Sequence, residues 1–187
     1  MSFGILVIDL PPLDAPWVHY GFGTAAVDGK RTLTRLLDKA ASLQVPILAL
    51  SAVHRTEECF QNVQDSLIFR YLSLEEIIEK PFFDAFRLPG FSSSLKSKGL
   101  TNLVITGYHR DICVRSTAEG ALTHGFDVLT SEHWMFTGKQ WESGRAESLA
   151  FFQKYTRFFA SPEDGLACIA SHSRAAPFLR HTEREPF

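Results

Sequence analysis

The 187-residue chain is poor in cysteine, with only Cys59, Cys113 and Cys168, all widely spaced. That excludes a disulfide framework and any site built on paired cysteines. No apolar stretch approaches the length needed to cross a bilayer. The start, Met1-Ser-Phe-Gly, has no basic n-region, and Asp9 interrupts the first apolar run too early for a secretory signal. A long basic run is also missing and the net charge is only −2, so neither nucleic acid nor a membrane surface is an expected partner. The sequence shows no internal repeat and no low-complexity tract. These absences leave a globular protein, with a reducing cytoplasm as its expected location. The length suits one domain with a sizeable core, expected over 1–170, followed by a polar tail over 171–187.

What the chain does have is a regular alternation of strand-like and helix-like segments. Phe3-Gly-Ile-Leu-Val-Ile-Asp9 suits a buried parallel strand. Leu33, Leu36, Leu37, Ala40 and Ala41 mark one helical face, and Pro46 leads into a strand at Ile47–Leu50. From Ser51 to Pro89 the pattern is irregular, with a short helical piece expected near Leu74–Ile78. Beyond it, Phe91 to Gly99 reads as a helix, Leu103–Thr106 and Phe126–Leu129 as strands, and Trp141 to Tyr155 as a helix. Arg157–Ala160 suits another strand, and Ser161-Pro162-Glu163-Asp164 carries the signals of a helix start. Such alternation predicts a three-layer α/β domain with a mostly parallel sheet and helices on both faces.

Chemistry is concentrated between Leu103 and Ala118. A short apolar strand meets Gly107 and a polar turn, and Cys113 then opens a helical pattern carried by Val114, Ala118, Ala121 and Leu122. A cysteine there sits at a helix N-terminus beyond the carboxyl end of a strand. Unpaired N–H groups and the helix dipole would favour its thiolate, and ligands of open α/β sheets bind at that edge. Two further residues stand out. Asp9 ends a strand of apolar residues, where a carboxylate is costly unless paired. Lys80 is flanked by bulky apolar residues in Ile77-Ile-Glu-Lys80-Pro-Phe-Phe-Asp-Ala-Phe86. Each has an ordinary reading when taken singly: Cys113 as a core cysteine, Asp9 as an N-cap or loop carboxylate, Lys80 as a snorkelling surface lysine.

In this order, Val7-Ile-Asp9-Leu, Lys80-Pro-Phe-Phe-Asp-Ala-Phe86 and Gly107-Tyr-His-Arg-Asp-Ile-Cys113-Val114 resemble the isochorismatase-like cysteine hydrolases. That family includes nicotinamidases and N-carbamoylsarcosine amidohydrolase, and the resemblance runs from about Phe3 to Ala170. It implies a six-stranded Rossmann-like sheet and subunits that associate as dimers or larger homo-oligomers. It also implies Cys113 as nucleophile, Asp9 as proton acceptor and donor, and Lys80 as the cation that holds Asp9 and favours the thiolate. The implied oxyanion hole is the backbone N–H of His109 and of Cys113, brought together by a cis Tyr108–His109 peptide bond. The expected reaction is hydrolysis of a small-molecule amide, carbamoyl or related C–N substrate, with no cofactor. Vinyl-ether hydrolysis of an isochorismate-type metabolite is an alternative, but that arm of the family lacks the cysteine. A non-catalytic binding protein is another, which the three retained triad positions argue against.

The departures are informative. Pro11 and Pro12 stand where family members often carry glutamine and asparagine. Metal-dependent nicotinamidases have Asp-Trp-His after the second strand, whereas here Ala52-Val53-His54 is followed by no second histidine before Lys80. One imidazole cannot replace three protein ligands, so no metal is expected and His54 is read as a pocket or surface residue. Asp84 and Glu132 are also unusual for their positions. Among sixteen phenylalanines and other aromatics, Trp17, Phe86, Tyr108 and Phe136 are candidates, with His54, for lining a substrate pocket.

Overall fold

A computed structural model describes residues 2–9, 26–52, 67–72, 76–137 and 144–173. Within these, seven strands form one sheet: β1 (Phe3–Ile8), β2 (Ile47–Ala52), β3 (Ile77–Lys80), β4 (Asn102–Tyr108), β5 (Asp127–Ser131), β6 (Met135–Phe136) and β7 (Arg157–Phe159). The order is β3-β2-β1-β4-β5-β7, with β6 pairing β4, and every pairing is parallel. Five α-helices accompany them: α1 (Ala26–Ser42), α2 (Phe91–Ser97), α3 (Arg115–Thr123), α4 (Arg145–Tyr155) and α5 (Pro162–Ser173). The architecture is the expected α/β one, with seven strands rather than six.

The sheet is buried on both sides, which is why its central strands are almost wholly apolar. Along β1 the side chains alternate between faces. Leu6 and Ile8 join Leu48, Leu50 and Ile105 in packing against Phe91, Leu95, Ala118, Ala121 and Phe152 from α2, α3 and α4. Phe3, Ile5 and Val7 point the other way, to Leu33, Leu36, Leu37 and Ala40 of α1 and Ile169 of α5. The start of α5 is built as its sequence predicts: the Ser161 hydroxyl accepts from the Glu163 and Asp164 N–H groups, and Pro162 takes the first helical position.

Two expectations need correction. Of the helical piece expected near Leu74–Ile78, Ile77 and Ile78 belong instead to the edge strand β3, which runs parallel to β2 with Lys80 beside Ala52; Leu74 and Glu75 lie outside the described residues. Cys113 does not begin a regular α-helix; a π-helical turn, Arg110–Val114, precedes α3.

Chain order reverses between β1 and β4, which are neighbours in the sheet. Strands that part company there open a crevice at their carboxyl ends. Gly107, at φ 118°, faces Ile8 across this junction, and a Cβ on it would fall on the Ile8 carbonyl oxygen. Only glycine allows the two backbones to come so close before they separate.

Candidate active site

Asp9 leaves β1 in a left-handed conformation (φ 44°), with its N–H donated to Leu50 O at 2.8 Å. Lys80 reaches the same place from the end of β3. Its Nζ lies 2.7 Å from Asp9 Oδ2, with the lysine side chain fully buried and the aspartate 13% exposed. It also donates to the Phe82 carbonyl at 3.2 Å. A buried ammonium is stable only when so compensated, which accounts for a lysine in an apolar stretch. Cys113, half-buried in the π-turn after β4, hydrogen-bonds with the Asp9 carboxylate and lies near the charge of Lys80. Three residues from separate strand ends are thus brought together.

The electrostatics run against a resting thiolate. The Cys113 thiol is pushed up to about 11, first by burial and then by the charge and hydrogen bond of Asp9. Lys80 and the His109 N–H pull the other way but do not prevail. At neutral pH the sulfur therefore keeps its proton. A buried thiol beside a carboxylate ionises less than an ordinary one.

The Tyr108–His109 peptide bond is cis. The His109 N–H points at the Cys113 sulfur, and the His109 carbonyl accepts from the Ile112 and Val114 N–H groups at 3.1 Å each, closing the turn. Tyr108 is partly buried, close enough for an ionised Cys113 to raise its phenol, though burial is the larger cause. Its ring packs edge-on to His109, and its backbone pairs with Phe136, which is buried in the core. Phe86 sits in an aromatic cluster with Phe91, His124 and Phe126. Trp17 and His54 lie outside the described residues, as do Cys59, Pro11 and Pro12.

A buried polar group that the sequence reading did not anticipate adjoins the turn. Arg110, fully buried, donates through Nε to Asp111 Oδ1 at 2.8 Å and through Nη2 to Oδ2 at 3.1 Å. Asp111 Oδ2 also accepts from the Thr137 hydroxyl at 3.1 Å, and Thr137 Oγ1 lies 3.1 Å from His109 Nε2. Burial alone would raise the Asp111 carboxyl, but the bonds and charge of Arg110 outweigh it and hold the group below its ordinary value. Burial likewise lowers His109, so its ring is neutral at pH 7.

The two unusual acids find local roles. Asp84 accepts from Phe86 N at 2.8 Å, capping the turn Ala85–Arg87. Glu132 accepts from Arg145 Nε at 2.8 Å, tying the residues after β5 to the start of α4. Among the described residues, no three His, Cys, Asp or Glu side chains are grouped to hold a metal ion. None of the helices among those residues is long and apolar enough to cross a membrane.

The Isochorismatase domain family matches residues 28–132, more than half of the chain. The chain belongs to the isochorismatase family of hydrolases. Solved structures share the fold of this isochorismatase-family protein. An isochorismatase-like hydrolase from Alkaliphilus metalliredigens aligns at 21% identity and TM-score 0.68, covering 90% of this chain and 99% of its own. A nicotinamidase from Staphylococcus aureus aligns at 17% identity and TM-score 0.60, covering 82% and 92%. An octameric hydrolase of unknown specificity from Escherichia coli aligns at 17% identity and TM-score 0.63, covering 94% and 82%. Compared by sequence with curated proteins, the chain has no significant match.

Proposed function

We propose that this isochorismatase-family protein is a metal-independent cysteine hydrolase of a small amide, carbamoyl or related C–N substrate. The observation that carries this reading is the meeting of Cys113, Asp9 and buried Lys80, with Asp9 bonded to both of the others. The raised thiol assigns the order of events. Cys113 Sγ attacks the substrate's carbonyl carbon as its proton passes to Asp9, so the nucleophile is made in the act of attack. The carbonyl π pair moves onto oxygen, beside the N–H groups of His109 and Cys113, where each donor is typically worth roughly 3–4 kcal/mol. Collapse breaks the C–N bond, and Asp9 returns the proton to the leaving nitrogen. Water then cleaves the thioester, giving one proton to Asp9 and, through it, restoring the thiol.

Lys80 keeps Asp9 in place and moderates the rise in the thiol. The described residues offer no metal-ligand set, and no step is routed through a metal. An amide substrate is favoured over a vinyl ether because the latter needs no sulfur nucleophile, whereas Cys113 is present with both partners. The nicotinamidase among the structural neighbours is consistent with the C–N class, and the octameric neighbour with a homo-oligomer. The test is a panel of small amides and ureas assayed for ammonia release. Cys113→Ala and Cys113→Ser should both be inactive on any substrate found, and full turnover by either would end the covalent mechanism.

A further inference from the structure

Thr137 follows directly on β6, whose Met135 and Phe136 pair with Gly107 and Tyr108 of β4. It is therefore set beside His109, and it is almost fully buried, as is the His109 ring. A threonine hydroxyl has a single proton to give. Asp111, ionised and clamped by Arg110, is the stronger acceptor, and Thr137 donates to it. The same oxygen is then left to accept from the neutral imidazole, whose nearer nitrogen is Nε2 at 3.1 Å. With the proton on Nε2, the nearer nitrogen (Nδ1 lies at 3.4 Å), the chain runs one way: imidazole to hydroxyl to carboxylate, with the guanidinium at its end. Three buried side chains, those of His109, Arg110 and Thr137, and the largely buried Asp111 are thus fixed relative to one another across the ends of β4 and β6 and the π-turn.

We infer that Thr137 is a positioning residue, holding through the His109 ring the peptide whose N–H would meet the reacting carbonyl oxygen. The inference rests on the cysteine-hydrolase reading above, and Thr137 acts through the His109 ring without itself meeting substrate. Asp111 and Arg110 supply the anchor, Thr137 the link, and His109 joins the link to its own backbone N–H. A small displacement of such a donor costs much of its value, because the transition state needs it at hydrogen-bond distance.

Two probes of Cys113 separate this role from general damage. p-Nitrophenyl acetate acylates the sulfur: S–C forms, the thiol proton goes to Asp9, the carbonyl pair moves onto oxygen, and its return expels p-nitrophenolate. Iodoacetamide alkylates the same sulfur by displacing iodide from a saturated carbon, so no oxyanion forms. In Thr137→Val the first-turnover burst of p-nitrophenolate should slow by about 10- to 100-fold, while alkylation of Cys113, followed by peptide mass spectrometry, stays within about twofold. Thr137→Ser should restore the burst. If the valine variant does not fold, Thr137→Ala poses the same question. An unchanged burst, or equal losses with both probes, overturns the inference. A wild-type protein that neither acetylates nor alkylates at Cys113 overturns instead the nucleophile on which it rests.

Discussion

Replacing Asp9 by asparagine should make Cys113 more ionised and the enzyme less active. Raising a thiol from 9.0 to about 11 makes its thiolate about a hundredfold scarcer at any pH well below both values. At neutral pH the thiolate is then a small minority of Cys113. Burial is the largest cause, and the charge and hydrogen bond of Asp9 supply the remainder. Asp9→Asn removes that charge, and buried Lys80 is left with the thiolate as its natural counter-ion. The thiolate population should recover by about tenfold or more, moving the midpoint of Cys113 alkylation down by about one pH unit. Amide turnover should fall by about 100- to 10,000-fold, because no group remains to carry the proton to the leaving nitrogen. The assay is the rate of iodoacetamide alkylation of Cys113 between pH 6 and 11 in both proteins, beside ammonia release. Circular dichroism confirms folding, since breaking a buried pair can cost about 3–5 kcal/mol. A folded variant whose alkylation midpoint stays put or rises would show that Asp9 does not bear on the sulfur, and the order of proton transfer argued above would fail.

Purified protein should carry no stoichiometric zinc, iron or manganese by elemental analysis, and chelators should leave turnover unchanged. Asp111→Asn should destabilise the fold by about 3 kcal/mol at pH 7, the range for breaking a buried pair. Because the folded Asp111 value is depressed, its stabilisation is fully present above the unfolded value of about 3.9 and is lost as pH falls through the folded one. Chemical denaturation at pH 7 and at pH 3 should therefore show the gap between variant and wild type narrowing in acid. Gly107→Ala should yield no folded protein on expression, since its Cβ has nowhere to go but the Ile8 carbonyl.

Much of the fold was legible because strands buried on both faces are written as unbroken apolar runs, as in Phe3–Ile8 and Leu103–Ile105. The strand β3 escaped notice because Ile77-Ile-Glu-Lys80 neither alternates nor runs apolar; its pairing with β2 decides it. Two-residue β6 carries no period at all, and its place depends on lying beside Gly107 and Tyr108. The meeting of Asp9, Lys80 and Cys113 could be anticipated only from the three motifs together, since no single one implies the others. The network around Arg110 was hidden differently. Arg110-Asp111 looks like a solvated pair in sequence, and the partner that reveals its burial, Thr137, comes from another strand end. The environment of the Cys113 thiol is hidden for a related reason: helix ends can be read locally, whereas burial and the reach of Asp9 cannot.

A thiol that rests with its proton on is also slow to oxidise. Peroxide attacks the thiolate, and the first product, a sulfenic acid, leads on to sulfinic and sulfonic acids that end activity. By holding the Cys113 thiol near 11, the folded protein keeps only a trace of the vulnerable form at neutral pH. The unfolded chain, with its cysteine at an ordinary value, exposes far more of it. If Cys113 is the nucleophile proposed here, burial and the Asp9 carboxylate should make its oxidation slower in the folded chain than in the unfolded one, and peroxide inactivation should quicken under conditions that open the fold.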